Sequence, residues 1–511
     1  MKKYGSDRSH REPIPQPKRQ QFLLLTYLVA IAILTVAAPS ATTEAVNAKE
    51  IILPFIIAVT VCVIHLFYTS EANWFRIDTL FLLSFMIVNF QWPAMLLFDN
   101  IMPGYDEAYG ADIDLVWRFE AYANFASWVS ALGLAAWAAG YSFVRDRRPR
   151  VASHSPGLSR WPAVRVLGLP ANRILAFGLL VLFVMLAGED YLAGAANREV
   201  QENLYGTISG LGAYVHLVLY TAMFVLIGTE FFSLIGRRRS GEVVGLSSFT
   251  RNFGFLLAAA YVAVFYFAGE RGEMIRVLVL FGILYGMHFR ALRFWEFLSL
   301  IAIGSLIFTI MGYTRIHGFT EVDGFLANII NPWTATVNLA NSSVCLFVAI
   351  ELVGLRGAYY WGQLFVGEIV SVVPLMQSTI SSTFGVSIVD LSSAYTFAVY
   401  LYGPNPTNGA GTSIVADTYA NFGPVGVVVA LFLYGVVCKT MTSILREASS
   451  LRSFAAAAAF GSLAFYAGRS SLFIQLQPAV WGFAFAYACY GSRPISPRLA
   501  ANSPRMRTEL S

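Results

Sequence analysis

The stretch ADTYANFGPVGVVVALFLYGVVC, residues 416–438, decides how the rest of the chain is read. From Gly423 to Cys438 it carries no charge, which suits a helix in hydrocarbon rather than in water. Its first half instead holds an acid, a tyrosine and an asparagine. Immediately before it, Pro404, Pro406, Gly409 and Gly411 predict an irregular backbone. A polar, turn-rich segment running straight into an apolar helix marks the edge of a membrane.

The composition agrees. Only 13% of the 511 residues are charged and 57% are hydrophobic, with a mean hydropathy of +0.60. A soluble domain carries about 25% charged residues. The apolar residues fall in blocks of roughly 16 to 24, the length that spans a ~30 Å hydrocarbon core. A transmembrane barrel would instead show alternating segments of ~10 residues. The expected fold is therefore an all-α polytopic membrane protein. Helices are predicted at 21–38, 51–68, 79–97, 123–143, 173–187, 210–234, 253–268, 273–288, 295–312, 423–438, 453–468 and 478–490. SATTEA after the first block resembles a leader cleavage site, but ~18 apolar residues exceed the usual 7–15 of a leader core, so an uncleaved span is expected.

Twelve spans put both termini on one side. The two tails and the alternate loops hold 27 of the 35 Lys and Arg, and the rest of the chain holds eight. By the positive-inside rule the basic set, including RDRRPR (145–150) and GRRRSG (236–241), is cytoplasmic. No nucleic-acid role is needed for these runs. The resulting organisation is a cytoplasmic tail (1–20), nine helices (21–312), a large outward segment (313–422), the last helices (423–490) and a second cytoplasmic tail (491–511). The outward segment contains two further apolar runs, interrupted by Glu351 and Glu368. These are either re-entrant or interfacial helices or a thirteenth and fourteenth span, and parity holds in both cases. Cys62, Cys345, Cys438 and Cys489 all lie in apolar stretches without a CxxC pair, so neither a disulfide framework nor a metal site is expected.

Seven of the eight outward basic residues are arginines, among them Arg198, Arg271, Arg276, Arg315 and Arg469. An arginine fork meets phosphate or carboxylate oxygens bidentately and stays charged when dehydrated. Alternatively, each is a snorkelling or salt-bridged helix-end residue. In AGERGEMIRVL (268–278), Glu270 and Arg271 precede Glu273 and Arg276, which share a helix face and can pair. In YTRIHGF (313–319), Arg315 and His317 stand two apart, able to orient a phosphate or relay a proton, or simply exposed in a loop. Asp417 is a candidate general base towards a hydroxyl. Tyr419, Asn421 and Phe422 follow it, as sugar-facing residues or as an interfacial aromatic belt and helix cap.

ADTYANFGPVG resembles the C-terminal signature of Wzy-type O-antigen and exopolysaccharide repeat-unit polymerases. GERGEMI is similar to the Gly-x-Arg-Gly element that opens a span in those proteins and in the related O-antigen ligases. Two Arg-x10-Gly loop motifs of some members are not matched around Arg198 and Arg315. The resemblance implies a glycosyltransferase of GT-C-like fold in a bacterial inner membrane, working at the periplasmic face without a cofactor. Its substrates would be oligosaccharide repeat units on undecaprenyl diphosphate within the membrane lipid, and its partners a chain-length co-polymerase and the flippase of the same pathway. It implies that Arg271, Arg315 and Arg469, with Arg198 and Arg276, hold the diphosphate. Asp417, His317 or Glu270 would be the base, and Tyr419 and Asn421 would meet the sugar. An O-antigen ligase and a lipid-linked oligosaccharide transporter are the alternatives.

Overall fold

The computed structural model describes residues 16–40, 47–69, 73–97, 120–145, 168–192, 211–317, 336, 339–373, 375–404, 406 and 411–490. Those residues are helical or irregular, with no strand among them. Each of the predicted helical segments overlaps an observed helix, although the one expected at 423–438 already begins at Ile414 and runs to Glu447. In chain order these are α1 (Gln16–Val36), α2 (Ala48–Thr69), α3 (Ile77–Leu97), α4 (Ala123–Phe143), α5 (Gly168–Leu192), α6 (Leu211–Arg239), the short α7 (Leu246–Thr250), α8 (Phe253–Phe267), α9 (Arg271–His288) and α10 (Phe294–His317). Then come α11 (Val344–Arg356), α12 (Val366–Val370), α13 (Met376–Phe384), α14 (Ser393–Tyr402), α15 (Ile414–Glu447), α16 (Leu451–Ser462) and α17 (Leu476–Tyr490).

Six of these, α1, α2, α3, α5, α6 and α15, are long and apolar enough to cross a membrane. Their outward faces show which solvent they expect. Leu25 on α1 is 63% exposed, Met185 on α5 75% and Val425 on α15 75%. On α15 the exposed apolar residues recur every four positions, at Val425, Val429, Leu433 and Val437, so one whole face of the helix is greasy. Water would penalise each such row, at about 25 cal/mol per Å²; lipid does not.

Inside the bundle, α4 is buried almost all round and packs most intimately on α15. A Cβ on Gly140 would lie 1.9 Å from the Phe432 carbonyl oxygen, and one on Gly435 2.1 Å from that of Trp137. The two backbones touch because both helices offer hydrogen where they cross. With no hydrophobic drive between helices in lipid, such close packing is a main source of their affinity.

Helix α16 departs from its expected span, 453–468, whereas α17 agrees with the expected 478–490. α16 stops at Ser462, and its 12 residues rise only about 18 Å. The chain then turns through 463–475 inside the bundle, with Ala464, Ala467 and Ser471 all buried, and α17 runs back beside α16. The Gln475 amide holds this turn, donating to the Phe460 carbonyl at 2.8 Å and accepting from the Tyr434 hydroxyl at 2.5 Å.

The alternating helices sort the charges to two ends. At one, which we call the basic end, Arg239 donates to the Glu447 carbonyl at 3.2 Å, Arg238 reaches the His288 carbonyl, and Arg19 lies over the Tyr68 ring. At the far end, Trp128 donates to the Leu34 carbonyl at 2.6 Å, and Asn124 ties Asn47 to Glu50. Arg276, Arg469 and the start of α15 lie towards this far end.

Candidate functional site

The site begins with a break in α15. Ser413 caps the helix, its hydroxyl accepting from the Ala416 N–H at 3.0 Å. Ten residues later Gly423 adopts φ +67°, ψ −164°, a conformation open to glycine and costly for other residues. Pro424 follows and has no N–H to give the Ala420 carbonyl. Two other backbone donors replace the lost helical bonds: Tyr360 N–H reaches Ala420 O at 3.0 Å, and Trp361 N–H reaches Asn421 O at 2.9 Å. Asn421 completes the splice, donating to the Asp417 carbonyl at 2.8 Å and accepting from the Leu364 N–H at 3.2 Å. Residues 359–365 are thereby folded onto the first turns of α15, and Glu368 arrives beside Asp417.

Asp417 is fully buried. One carboxylate oxygen accepts from the Leu472 N–H at 3.0 Å, while the other has no partner. The Ser393 hydroxyl lies beside this carboxyl, and Glu368 is near enough to repel it. Burial raises the Glu368 carboxyl above its ordinary range, and the nearby Ser471 hydroxyl partly opposes that rise. Neither Ser393 nor Ser471 makes a hydrogen bond of ordinary geometry, and the same is true of Ser342 and Ser343. A buried polar group left unpaired costs about 1–3 kcal/mol. Several of them together mark a place that a ligand or water is meant to satisfy.

Arg469 stands by the loop before α15. It ends a short 3₁₀ turn, Ala467–Arg469, which lies so close to α3 that a Cβ on Gly468 would sit 2.7 Å from the Ser84 hydroxyl. Arg469 is half-buried, and among the described residues no carboxylate lies within ion-pairing distance of it. A Cβ built on Gly411 would be 3.4 Å from the Ser342 hydroxyl and 3.9 Å from Arg469 Nε, so the guanidinium and the unpaired serine converge on the loop before α15. The chemistry on offer is an unbalanced cation, two crowded carboxyls and a set of hydroxyls, suited to an anionic group attached to a polyol.

A second polar group stands next to it. Glu273 accepts from the Tyr261 hydroxyl and from Arg276, both at 2.7 Å, with His216 at 3.9 Å. The Arg276 guanidinium is flanked by the rings of Tyr220 and Tyr466. Tyr466 precedes the Arg469 turn by one residue, and its hydroxyl is 3.8 Å from the point where a Cβ on Gly272 would lie. The start of α9 and the Arg469 turn are therefore neighbours.

Of the residues singled out in the sequence, Asp417 and Arg469 flank the start of α15, Asp417 in its first turn and Arg469 by Gly411 in the loop before it. Arg276 belongs to the second and is already paired with Glu273, as the three-residue spacing predicted. Glu270 is half-buried at the N-cap of α9. Tyr419 packs edge-on to Phe125 and Tyr359, and the Asn421 amide bonds across the helix break. Arg198 and the side chains of Arg271, Arg315 and His317 lie outside the described residues. Sequence reasoning missed Glu368 and the serines. Glu368 had a readable signal, an uncompensated acid inside an apolar run; the serines had none.

No protein-family model matches this chain, and neither a curated protein nor a solved structure matches it.

Proposed function

We propose that this protein is an inner-membrane glycosyltransferase of GT-C-like, twelve-span architecture that joins lipid-diphosphate-linked oligosaccharide repeat units into a surface polysaccharide. The observation that carries the reading is Arg469, a half-buried cation without a carboxylate partner among the described residues. It stands three residues along the chain from Leu472, whose N–H binds the buried Asp417 next to the half-buried Glu368. The cluster lies at the end opposite the basic loops, which the positive-inside rule makes the periplasmic face. The sequence resemblance to repeat-unit polymerases supplies the substrate class.

In this reading a sugar hydroxyl of the incoming unit attacks the anomeric carbon of the growing glycan. The bond from that carbon to the diphosphate oxygen breaks, and the diphosphate leaves with the electron pair. Asp417 takes the hydroxyl proton, its unpaired oxygen being the acceptor. Arg469 stabilises the charge that develops on the leaving oxygen, a contribution typically of ~10²–10³ in rate per donor, and the sequence resemblance would give Arg271 and Arg315 the same task.

A deletion strain complemented with Asp417→Asn or Arg469→Ala tests this. Polysaccharide chain length is read on gels, with protein abundance as control. Deletion of a polymerase leaves carriers capped by a single repeat. Deletion of a ligase leaves uncapped carriers, and deletion of a transporter leaves the lipid-linked unit on the inner leaflet. Wild-type chain length in both variants at normal abundance would sink the assignment.

A further inference from the structure

Asp417 is fully buried, so a proton that it takes from a hydroxyl has no water of its own to leave by. A base that keeps its proton works only once. Turnover therefore needs a second group, next to Asp417 and also open to solvent, that can accept and release a proton.

Glu368 stands where that group is needed. Its helix, α12, is clamped to the turn after α16 and to the start of α17. The Phe365 and Phe473 rings lie 5.1 Å apart, Gln477 donates to the Ser371 carbonyl at 3.1 Å, and Trp481 donates to the Val372 carbonyl at 2.7 Å. The same turn supplies the Leu472 N–H to Asp417, and the hydroxyl of Ser471, the preceding residue, lies beside Glu368. Unlike Asp417, Glu368 is half-exposed. Among the described residues no cation lies within ion-pairing distance of it, so no partner holds its carboxyl in one charge state. The other charged groups on the elements around it are few. The turn 388–391 packs against Gly367 and carries the exposed Asp390, Arg469 precedes Ser471 by two residues, and α13 and α17 contain no Asp, Glu, Lys or Arg. Burial raises the Glu368 carboxyl above its ordinary range, nearer the pH at which proton exchange with water is balanced.

We propose that Glu368 is the proton exit of the far-end site, receiving from Asp417 the proton of the attacking hydroxyl and releasing it to water. The hydroxyl O–H bond breaks as an Asp417 O–H bond forms; that bond then breaks as a Glu368 O–H bond forms. Water finally accepts the proton, and both carboxylates are restored for the next cycle. Glu368 acts only through Asp417, and the inference rests on the glycosyl-transfer reading with Asp417 as base.

The test is the initial rate of polymer formation, per molecule of protein, in membranes of the complemented deletion strain, which carry their own lipid-linked repeat units. Glu368→Gln keeps the size but cannot take a proton, so the rate should fall ~10-fold or more, short of the ~10²–10⁴ of a base itself. Glu368→Asp keeps the carboxyl and should recover most of that loss. Towards acid pH the wild-type rate should fall with the steepness of two protons, one for each carboxylate, and the Glu368→Gln rate with that of one. A wild-type rate in Glu368→Gln, with Asp417→Asn inactive, overturns the exit and leaves Asp417 as the base. A wild-type rate in Asp417→Asn overturns the underlying reading and the exit with it. Equal losses in Glu368→Gln and Glu368→Asp overturn the exit as well, by showing that the fit of the side chain matters and its proton does not.

Discussion

The two ends of the bundle treat buried acids in opposite ways. At the basic end Asp78 is held by Arg76 and His65, and Glu230 accepts from Arg173 at 2.6 Å and from Asn252 at 2.9 Å. Both carboxylates are buried, and both have a cation and a second donor. At the far end Asp417 has one backbone N–H, an unpaired oxygen and a neighbouring carboxyl, while Arg469, by the loop that precedes α15, has no carboxylate partner among the described residues. Glu273 lies at the far end but follows the first pattern. Paired acids lock helices together. An acid left half-paired, at a cost of kcal/mol to the fold, is kept for something that arrives later.

That contrast predicts opposite phenotypes for the same conservative change. Asp78→Asn should strand Arg76 and His65 in the interior, destabilising the protein by about 3–5 kcal/mol and lowering its abundance in membranes. Asp417→Asn should leave abundance and apparent Tm intact, because little pairing is lost, while on the proposed polymerase reading polymer synthesis falls ~10²–10⁴-fold, the usual weight of a general base. If Asp417→Asn instead loses protein and Asp78→Asn does not, the two ends have been read the wrong way round.

Much of this fold was legible because lipid makes simple demands. Apolar blocks located every helix from α1 to α6, and charge counting sorted their ends. What periodicity could not show is where a helix stops inside the membrane. The end of α16 at Ser462 depends on Gln475 reaching back to the Phe460 carbonyl, a tertiary contact with no local signature. The site was legible in part. Asp417 and Arg469 stood out because charge is costly in such surroundings, whereas Ser342, Ser393 and Ser471 look like ordinary small residues until the fold buries them together.

The crossing of α4 and α15 connects the two ends mechanically. Gly140→Ala or Gly435→Ala inserts a methyl group where a carbonyl oxygen already lies about 2 Å away. The helices must separate, at a cost of about 1–3 kcal/mol or more. Apparent Tm in detergent measures it, and a smaller shift for both variants would mean the crossing relaxes easily. At the break, Gly423→Ala has a milder expected cost, about 1–2 kcal/mol for the left-handed backbone, together with displacement of Tyr359. Its sharper consequence follows from the proposed function: Asp417 should move with the first turns of α15, which on that reading shortens the polymer more than the stability loss alone explains. Equal effects on chain length and abundance would make the break merely structural.

The smallest expected effect tests whether the far end carries its acids as a strained pair. Burial raises the Glu368 carboxyl above the ordinary value of 4.5, so the folded protein holds its proton to higher pH than the unfolded chain does. Below the ordinary carboxylate value both states are protonated, and the site contributes its full stability. As pH climbs from there through the raised value, the unfolded chain ionises first, so stability declines across that window. Glu368→Gln removes the titrating group while keeping its size. It should flatten this part of the profile of apparent Tm against pH and leave the rest of the curve in place. The same substitution at Glu230, whose carboxylate is paired with Arg173, should lower Tm at every pH above the carboxylate range. A Glu368→Gln profile parallel to wild type would show that the far-end carboxyls do not share the strain that separates them from the paired acids of the basic end.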